Sequence, residues 1–517
     1  MNISIKELTN DPTVNLVLDT LEQNKQALVF VNAKRSAEKV AEDISRALKK
    51  TNKATNTELS EDILHALSKP TKQCERLAEI TKYQIAFHHA GLTGKQKELI
   101  EDNFRSGNIK IICCTPTLAA GVDLPAYRAI IRDVKRFSVR GYTYIPVLEY
   151  LQMSGRAGRP KYDTEGQSIV ITNSEAEQNE ITEKYVSGSP EDIVSKLAVE
   201  PVLRTYILSL VASSFVNDRK SLIKFFSKTF WAHQFEDMAK LEKIIDRMIH
   251  TLEEFKFIEM KKDDFISADE LDEKIMATDL GKRVAQLYID PLTANTFIQN
   301  IKNCKDKPTA FGILQMISNT IEIRPRLNVK ARELEIYTSI IVEHDGDILV
   351  NKPEEYEPEY EDFLDSIKTA QFFTEWMEEK DDEFLLETFD VRPGESRAKL
   401  ELADWLLYSS EELAKLTENM IFARELSKVR FRLRYGVKEE LLALLKLKEI
   451  GRVRARKLFN NGIKDIGDVK KVDLMKLRQL LGDSVAKNVK EQVGEKVDIE
   501  IKDTKRKGQM SLGKYSE

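Results

Sequence analysis

Two arginines three residues apart, Arg156 and Arg159, are the side chains whose type and spacing most directly suggest chemistry. They lie in the string Gln152-Met153-Ser154-Gly155-Arg156-Ala157-Gly158-Arg159, which places them on one face of a helical turn. A planar guanidinium donates two parallel, charge-assisted bonds to phosphate oxygens, and an arginine finger accelerates phosphoryl transfer by about 10³–10⁵-fold. We expect Gln152, Arg156 and Arg159 to be catalytic and Gly155 to border a nucleotide. The alternative is a surface salt-bridge pair.

A hydroxyl-rich loop, Thr115-Pro116-Thr117-Leu118-Ala119-Ala120-Gly121-Val122-Asp123, directly follows the apolar run Ile109–Cys113. Such a loop at the end of a strand can offer hydroxyls and backbone N–H groups to nucleic-acid phosphates. We expect Thr115 and Thr117 to contact a nucleic acid, and Gly121 and Asp123 to link this loop to the nucleotide.

Two further segments carry candidate nucleic-acid contacts. The side chains of adjacent residues on a strand point to opposite faces, so His88 and His89 are not placed to bind one metal ion together. We expect His89 to contact a nucleic-acid backbone, with a purely structural role as the open alternative. The segment Arg136–Ile145 predicts a β-hairpin with Gly141 in its turn. Its Arg136, Phe137 and Tyr142 could contact or stack on a base at a duplex junction, unless the hairpin is an ordinary surface one.

The elements that position these residues alternate between strand and helix over the first ~185 residues, which predicts a parallel α/β sheet. Functional loops should lie at the carboxyl ends of its strands. Helical patterns follow, and three helices (Leu203–Phe215, Ser221–Phe230, Lys240–Phe255) precede apolar pairs at Phe257-Ile258 and Phe265-Ile266, which is typical of a winged helix. The predicted strands are Ala27–Val31, Ile85–Phe87, Ile109–Cys113, Ala129–Ile131 and Ser168–Ile171.

Composition excludes some classes of protein and leaves others open. A chain of 517 residues is too long to form a single hydrophobic core, so several domains are expected. The net charge of −5 does not indicate a polyanion partner. Residues 352–390 hold 3 basic and 15 acidic side chains, whereas residues 424–457 hold 12 basic and 4 acidic ones. The basic run suggests a polyanion partner, and a solvated helix face is the alternative. Four scattered cysteines, no signal peptide and no long apolar stretch predict a cytoplasmic protein without a metal site or membrane span.

The order of these motifs, with Leu28-Val29-Phe30-Val31-Asn32, His88–Gly91 and Ile145–Tyr150, resembles the Ski-like group of superfamily 2 helicases. Within that group the chain resembles the archaeal Hjm/HelQ-type DNA helicases over nearly its whole length. The resemblance implies an ATP-dependent helicase that moves 3′ to 5′ on forked or branched DNA in repair and recombination. It also implies that the hairpin at Arg136–Ile145 separates strands.

The resemblance further implies a helical ratchet domain whose long helix presents a base-stacking tryptophan. Here that residue is Trp405, within the helical segment Ser396–Tyr408, and a role in the core is the alternative. Family members carry an arginine seven residues earlier; this chain has Ala398 there, and Arg397 is the candidate replacement.

The last module resembles a helix-hairpin-helix. Gly451 and the interleaved Arg452, Arg454 and Arg456 could hold DNA phosphates through backbone amides and guanidinium groups. We therefore predict a multidomain chain: an α/β RecA-like second motor domain (1–190), a winged helix (191–277), an all-α ratchet bundle (278–417), a helix-hairpin-helix domain (418–500) and a flexible tail (501–517).

The sequence contains no G-x-x-x-x-G-K-[ST] phosphate loop and no acidic Mg²⁺ motif of the kind a first RecA-like domain carries. We expect ATP and Mg²⁺ to bind mainly through that missing domain, supplied by a separate chain, and the chain alone to have no ATPase activity. It would be a fragment or one subunit of a split enzyme.

The remaining expectations concern partners. Gln509–Tyr515 loosely matches a clamp-binding peptide, which suggests a sliding clamp or a single-strand-binding protein as a partner besides single-stranded and forked DNA. Two other readings stay open: an RNA helicase of the same group, and a DNA-binding scaffold that has lost its ATP-binding half.

Overall fold

The computed structural model of the chain describes residues 4–49, 56–67, 69–138, 141–159, 163–197, 199–235, 237–261 and 274–495. These residues form two compact units. The first unit holds the described residues up to Asp192 together with Asp381–Arg397, and the second holds Ile193–Lys380 and those from Ala398 onward. The clamp-binding peptide predicted at residues 509–515 lies outside the described residues.

The first unit is built on a five-stranded sheet in the order β2-β3-β1-β4-β7, with every neighbouring pair parallel. The first four of these strands are buried on both faces, because helices cover a parallel sheet on either side. All five begin and end within two residues of the predicted strands, so the predicted parallel α/β sheet is confirmed. The strands are β1 (Ala27–Phe30), β2 (Ile85–His88), β3 (Ile111–Cys114), β4 (Arg128–Ile131) and, after the hairpin, β7 (Gln167–Val170).

Eight helices and one hairpin complete the part of the first unit up to Asp192 that the structure describes. The predicted hairpin is present: β5 (Lys135–Ser138) pairs antiparallel with β6 (Gly141–Tyr144). Gly141, expected in the turn, is instead the first residue of β6 and pairs with Ser138. Helix α5 begins with a capping box in which Thr93 and Gln96 satisfy each other's backbone N–H groups. The helices are α1 (Pro12–Glu22), α2 (Lys34–Leu48), α3 (Thr57–Leu64), α4 (Lys72–Thr81), α5 (Gly94–Arg105), α6 (Thr117–Gly121), α7 (Val147–Ser154) and α8 (Glu175–Ile181), followed by a π-helical turn over Thr182–Val186.

The second unit begins with helices and an antiparallel hairpin in the order expected for a winged helix. In this hairpin β8 (Ile258–Lys261) pairs with Lys274–Ala277, a strand that the sequence did not predict. The apolar pair Phe265-Ile266, expected to follow the charged turn, lies outside the described residues. The elements of this part are α9 (Glu200–Ala212), α10 (Arg219–Phe226), α11 (Phe230–Phe235), α12 (Met238–Glu254), β8, β9 (Lys274–Ala277), α13 (Asp279–Leu287), α14 (Pro291–Asn303), α15 (Ala310–Ser318), α16 (Leu334–Glu343) and α17 (Glu359–Met377).

A buried ion pair fixes α9 to α14. Arg204 donates to both carboxylate oxygens of Asp290, at 2.6 and 2.8 Å, and Asp290 is also the N-cap of α14. Such bidentate geometry is the strong form of an arginine–carboxylate pair.

Short helices with a separate apolar core follow near the C-terminus of the described chain. Leu444, Leu458, Leu477 and Val489 are buried within this core.

The remaining elements of the whole chain, in chain order, are α18 (Asp382–Phe389), α19 (Pro393–Leu416), α20 (Met420–Tyr435), α21 (Arg452–Asn460), α22 (Ile466–Lys471), α23 (Leu474–Leu481) and α24 (Asp483–Gln492), with 3₁₀ turns at Ala331–Glu333, Glu439–Leu441 and Leu444–Lys446.

Residues 381–397, which contain α18 and the start of α19, pack on the first unit although nearly two hundred residues separate them from the rest of it. The Gly394 N–H donates to Gly91 O at 3.0 Å. A Cβ atom on Gly394 would lie 2.2 Å from Leu92 O, so only glycine allows this approach. Arg35 pairs with both oxygens of Asp390, at 2.8 and 2.9 Å.

Candidate functional site

The turn that carries the two candidate finger arginines is held by backbone hydrogen bonds. It follows α7, and Ala126 donates to Arg156 O at 2.9 Å while Gly158 donates back to Ala126 O at 2.7 Å. Gly158 adopts a φ of +95°, and a Cβ on Gly166 would lie 2.4 Å from the Gly158 nitrogen. Glycine at 158 and 166 is therefore required for the close crossing of two backbones.

Arg156 joins the arginine turn to the hydroxyl-rich loop. Its Nε donates to Ala119 O at 3.0 Å, and its Nη1 lies 3.5 Å from Asp123 Oδ1. The Asp123 side chain is 95% exposed, whereas that of Arg156 is 21% exposed. The two predicted motifs thus meet at the surface, where a guanidinium could exchange an exposed carboxylate for a phosphate.

Arg159 is more firmly held within the protein. Its Nε and Nη2 lie 2.6 and 3.1 Å from the two oxygens of Asp163, and its Nη1 donates to Gln26. The hydrogen bond from Arg159 is the main cause that keeps the pKa of Asp163 below its usual value, and Lys25 adds to the effect. Arg159 would therefore need to break an ion pair before it could contact a nucleotide.

A cleft of about 670 Å³ brings together four of the predicted site residues: Thr115, Thr117, Arg136 and Gln152. The hydroxyl oxygens of Thr115 and Thr117 lie 2.9 Å apart. Gln152, expected next to the nucleotide, lies here beside the candidate nucleic-acid contacts. Gly121 and Gly155, expected next to the nucleotide, are exposed, and neither lines this cleft.

The same cleft contains Asn32, Lys34 and Arg35, which sequence reasoning missed. These residues follow β1 as Thr115 follows β3, so the rule that loops at the carboxyl ends of strands carry function could have identified them. Burial and the neighbouring charge of Arg392 lower the pKa of Lys34. Basic groups and hydroxyls together suit a phosphate backbone.

His89 lies in the core rather than on a surface that a nucleic acid could reach. Its side chain has no exposed area, Nδ1 accepts from the Gly91 N–H at 3.1 Å, and Nε2 lies 3.2 Å from Glu38 Oε1. The ring also stacks on Phe87. This placement speaks against the expected nucleic-acid contact and favours the structural alternative.

The hairpin presents two aromatic rings to solvent. Phe137 and Tyr142 face each other across β5 and β6, each is 75% exposed, and their ring centroids lie 5.5 Å apart in an edge-to-face arrangement. Arg136 lies 3.1 Å from Glu149 Oε2. Exposed rings of this size are available for stacking.

Trp405 and Arg397 both lie on α19. Trp405 is half-buried, and its indole N–H donates to Leu287 O at 3.0 Å, which fixes the edge of the ring. Arg397 is exposed and lies 3.9 Å from Asp382, and Ala398 beside it is exposed too.

The arginines of the predicted helix-hairpin-helix mostly contact the protein itself. Gly451 is the N-cap of α21, and Arg452 donates to Lys380 O at 2.8 Å while Arg454 donates to Glu449 O at 2.7 Å. Arg456 pairs with Glu379 at 2.5 Å and Glu440 at 2.7 Å, and the hydrogen bonds that it donates to these carboxylates raise its pKa. Arg456 is thereby neutralised, which speaks against the phosphate contact expected for it.

Two observations concern the kinds of site and segment in the described part of the chain. Within it, no three His, Cys, Asp or Glu side chains come together in a group suited to a metal ion. None of the described helices combines the length and apolar character needed to cross a membrane.

Two family profiles match the chain. Residues 64–161 match the profile described as the helicase conserved C-terminal domain, which covers most of the sheet, the hydroxyl-rich loop and the arginine turn. Residues 311–436 match the profile described as archaeal helicase, domain 4, which covers α15 to α20.

Curated relatives match nearly the whole chain, and three of them carry the name ATP-dependent DNA helicase Hel308. The protein from Methanocella arvoryzae is 38% identical over 516 residues, covering 97% of this chain and 67% of the relative. The one from Methanococcus vannielii is 37% identical, covering 95% and 68%. That from Pyrococcus horikoshii is 36% identical, covering 94% and 66%. The chain therefore spans about two thirds of the length of these relatives.

Proposed function

The chain belongs to the Hel308 family of ATP-dependent DNA helicases, and from that premise we propose that it supplies the second motor domain and the DNA-handling domains of a helicase. This helicase moves 3′ to 5′ on forked or branched DNA in repair and recombination. The observation that carries the proposal is the meeting of Arg156 and Asp123, 3.5 Å apart at the surface of the first unit.

Arg156 and Arg159 act as finger residues toward the phosphates of ATP. Arg156 can exchange the exposed carboxylate of Asp123 for a phosphate at Nη1, while Nε and Nη2 donate to Ala119 O. Arg159 reaches the nucleotide by exchanging its ion pair with Asp163 for a phosphate, which would couple nucleotide binding to the position of the arginine turn. Each arginine would stabilise the charge that develops during phosphoryl transfer.

The phosphate loop and the Mg²⁺ ligands come from a first RecA-like domain that lies outside these 517 residues, on the same polypeptide or on another. The support for this is the absence of a G-x-x-x-x-G-K-[ST] string from the sequence. ATP and Mg²⁺ would bind mainly to that domain, and this chain would complete the site with its arginines.

The cleft of the first unit holds the backbone of one DNA strand. Thr115 and Thr117 follow β3 and supply hydroxyls, while Lys34 and Arg35 follow the neighbouring β1 and carry positive charge. Both basic side chains are ion-paired, Lys34 with Glu395 and Arg35 with Asp390 at the surface, and would exchange these carboxylates for DNA phosphates. The rings of Phe137 and Tyr142 separate the duplex at the fork, and Trp405 stacks on a base of the strand that leaves.

The experiment combines this chain with the first RecA-like domain of one of the relatives and measures DNA-stimulated ATP hydrolysis and fork unwinding. We expect no hydrolysis by the chain alone and activity in the mixture. Arg156→Ala should lower turnover by about 10³-fold or more, because a finger arginine acts on the transition state, and should leave single-strand binding within about twofold.

The matched control is Arg46→Ala, which removes an exposed arginine of α2 that pairs with Asp43. ATP hydrolysis by the isolated chain would contradict the need for a first domain, and normal turnover in the Arg156 variant would contradict the finger role. Equal unwinding of a matched RNA fork would place the chain with the RNA helicases of the group.

A further inference from the structure

Helix α20 carries four arginines that divide into two pairs with different surroundings. Arg430 and Arg432 are engaged within the second unit: Arg430 Nε lies 3.0 Å from Asp404 Oδ1, and Arg432 Nη2 lies 2.9 Å from Glu378 Oε1. The guanidinium of Arg430 also lies over the ring of Tyr408. These two residues hold α20 against its neighbours and are accounted for by structure.

The other pair, Arg424 and Arg434, is exposed, and neither forms an ion pair or a side-chain hydrogen bond with the part of the chain that the structure describes. Helical spacing of 3.6 residues per turn places both on one face with Phe431, which is 50% exposed. We call this set of three residues, Arg424, Phe431 and Arg434, the outer face of α20. Its two arginines lie about 15 Å apart along the helix axis, at 1.5 Å per residue.

No acidic side chain lies on the same stripe. Between the three residues the stripe carries Ser427, and the nearby Glu425 forms ion pairs with Lys307 and Lys428 away from it. Stabilisation of the helix C-terminus could explain a basic residue at Arg434, but it would not explain Arg424 in the first half of the helix or the exposed ring between them.

The chemistry of the outer face selects one kind of occupant. Guanidinium groups bind phosphates, and an exposed ring between them offers a stacking surface for a base, which is the combination used to bind single strands without sequence preference. The exposed apolar side chains on and beside this stripe are Phe431 and, one turn before Arg424, Met420 and Ile421. These three side chains provide much less apolar area than the core of a stable protein interface requires. The face is therefore matched to a flexible polyanion that carries aromatic bases.

Its position in the fold agrees with this. The Arg430–Asp404 ion pair ties α20 to α19 at the residue next to Trp405, the proposed stacking residue. A single strand that stacks on Trp405 would lie beside the helix that carries the outer face.

We propose that the outer face of α20 is a second contact for single-stranded DNA, in which Phe431 stacks on a base while Arg424 and Arg434 hold phosphates on either side. This inference rests on the proposed function, because it extends the path of the strand that the helicase handles. Within the basic run 424–457 it names a specific surface that lies outside the arginine motif and outside Gly451–Arg456, the residues expected to hold phosphates in the helix-hairpin-helix.

The test measures binding of a fluorescent thymidine oligonucleotide to the full chain by anisotropy, without ATP, over a series of salt concentrations. Phe431→Ala should weaken binding about fivefold or more, because loss of one stacked base costs about that much. Phe431→Trp keeps an aromatic ring at this position and should bind as tightly as the parent chain. Arg424→Ala and Arg434→Ala should each lower the slope of log affinity against log salt by about 0.7, as expected for one phosphate contact on a single strand.

The matched control is Arg332→Ala, which removes another exposed arginine of the second unit and should leave the slope unchanged. Circular dichroism and the melting temperature identify any variant that fails to fold, and Phe431→Trp keeps the test decisive in that case. Heparin is a polyanion without bases, so Phe431→Ala should leave the affinity of the chain for heparin unchanged.

Two outcomes separate the inference from the function on which it rests. If the parent chain does not bind the oligonucleotide, the proposed function itself fails. If the parent binds and the three alanine variants, Phe431→Ala, Arg424→Ala and Arg434→Ala, bind with the parent's affinity and salt slope, the function stands and the outer face is not a DNA contact. A face that instead captures a protein partner would give this second result and overturn the inference.

Discussion

Glu38 of α2 is a buried carboxylate surrounded by three basic side chains. Arg76 Nη1 lies 2.9 Å from it, Arg392 Nε 3.1 Å and His89 Nε2 3.2 Å. Burial by itself would raise the pKa of Glu38, but the close His89 imidazole and the charge of Arg392 outweigh it and hold the pKa at about 2. The cluster is therefore a charged core site that depends on all of its partners.

Removal of the Arg392 side chain should lower the stability of the first unit. Arg392→Leu leaves the carboxylate of Glu38 without one of its charge partners in the core, and we expect it to destabilise the first unit by about 3 kcal/mol. The control is Arg35→Leu, whose pair with Asp390 is exposed, with an expected effect below about 1 kcal/mol. All three tryptophans (Trp231, Trp376, Trp405) lie in the second unit, so hydrogen exchange of the β1, β2 and β3 amides is the measurement. Equal effects of the two variants would contradict the assignment.

The same cluster predicts a loss of stability in mild acid. Burial is the main cause that lowers the pKa of His89 below its usual value of 6.5, so below that pH the unfolded chain binds a proton that the folded chain refuses. The first unit should lose stability as the pH falls below 6.5. A second loss should follow as the pH falls from 4.5, the usual pKa of Glu38, toward about 2.

Amide exchange of the β-strands between pH 7.5 and 5.5 measures the first loss. The variant His89→Gln cannot take up the proton and should show a smaller decrease over this range. His88, whose pKa is also lowered by burial, remains in this variant and should retain part of the effect. An unchanged decrease in His89→Gln would exclude His89 as a cause.

At the scale of elements, apolar runs were sufficient to predict the sheet. The strands β1, β2, β3 and β4 are short and buried on both faces, so a continuous apolar run indicates each of them. The second strand of the β8–β9 hairpin, Lys274–Ala277, was not predicted because its apolar residues alternate: Ile275 is buried and Met276 is half exposed. The apolar pair Phe265-Ile266 was a stronger local signal, and it lies outside the described residues.

The β5–β6 hairpin provides a prediction that separates unwinding from folding. Because Phe137 and Tyr142 are exposed, the double variant to alanine should change the unfolding free energy by less than about 0.5 kcal/mol. With the first RecA-like domain supplied, it should lower fork unwinding at least tenfold and leave single-strand-stimulated ATP hydrolysis within about twofold. Stopped-flow unwinding and a coupled ATPase assay measure the two rates. Normal unwinding would mean that the hairpin does not separate the strands.

At the scale of the whole molecule, local patterns could not show which distant segments meet. Glu38 and Arg392 are 354 residues apart in the chain, and Arg204 and Asp290 are 86 apart. Neither pair belongs to a motif or a periodic pattern. For the same reason the sequence suggested phosphate contacts for Arg456, because its carboxylate partner Glu379 lies 77 residues away. Motif spacing identified Arg156 and Asp123, but only the fold shows which arginines are already neutralised.

The packing of residues 381–397 on the first unit means that this folding unit is discontinuous in the chain. A fragment that ends near Asp192 would contain the complete sheet and the arginine turn but would leave Glu38 without Arg392 and Gly91 without Gly394. During synthesis on the ribosome, the first unit cannot close until about 200 further residues have been made. Until then the surface that residues 381–397 cover remains exposed. The first unit is completed as α19, the helix that carries Trp405, is synthesised.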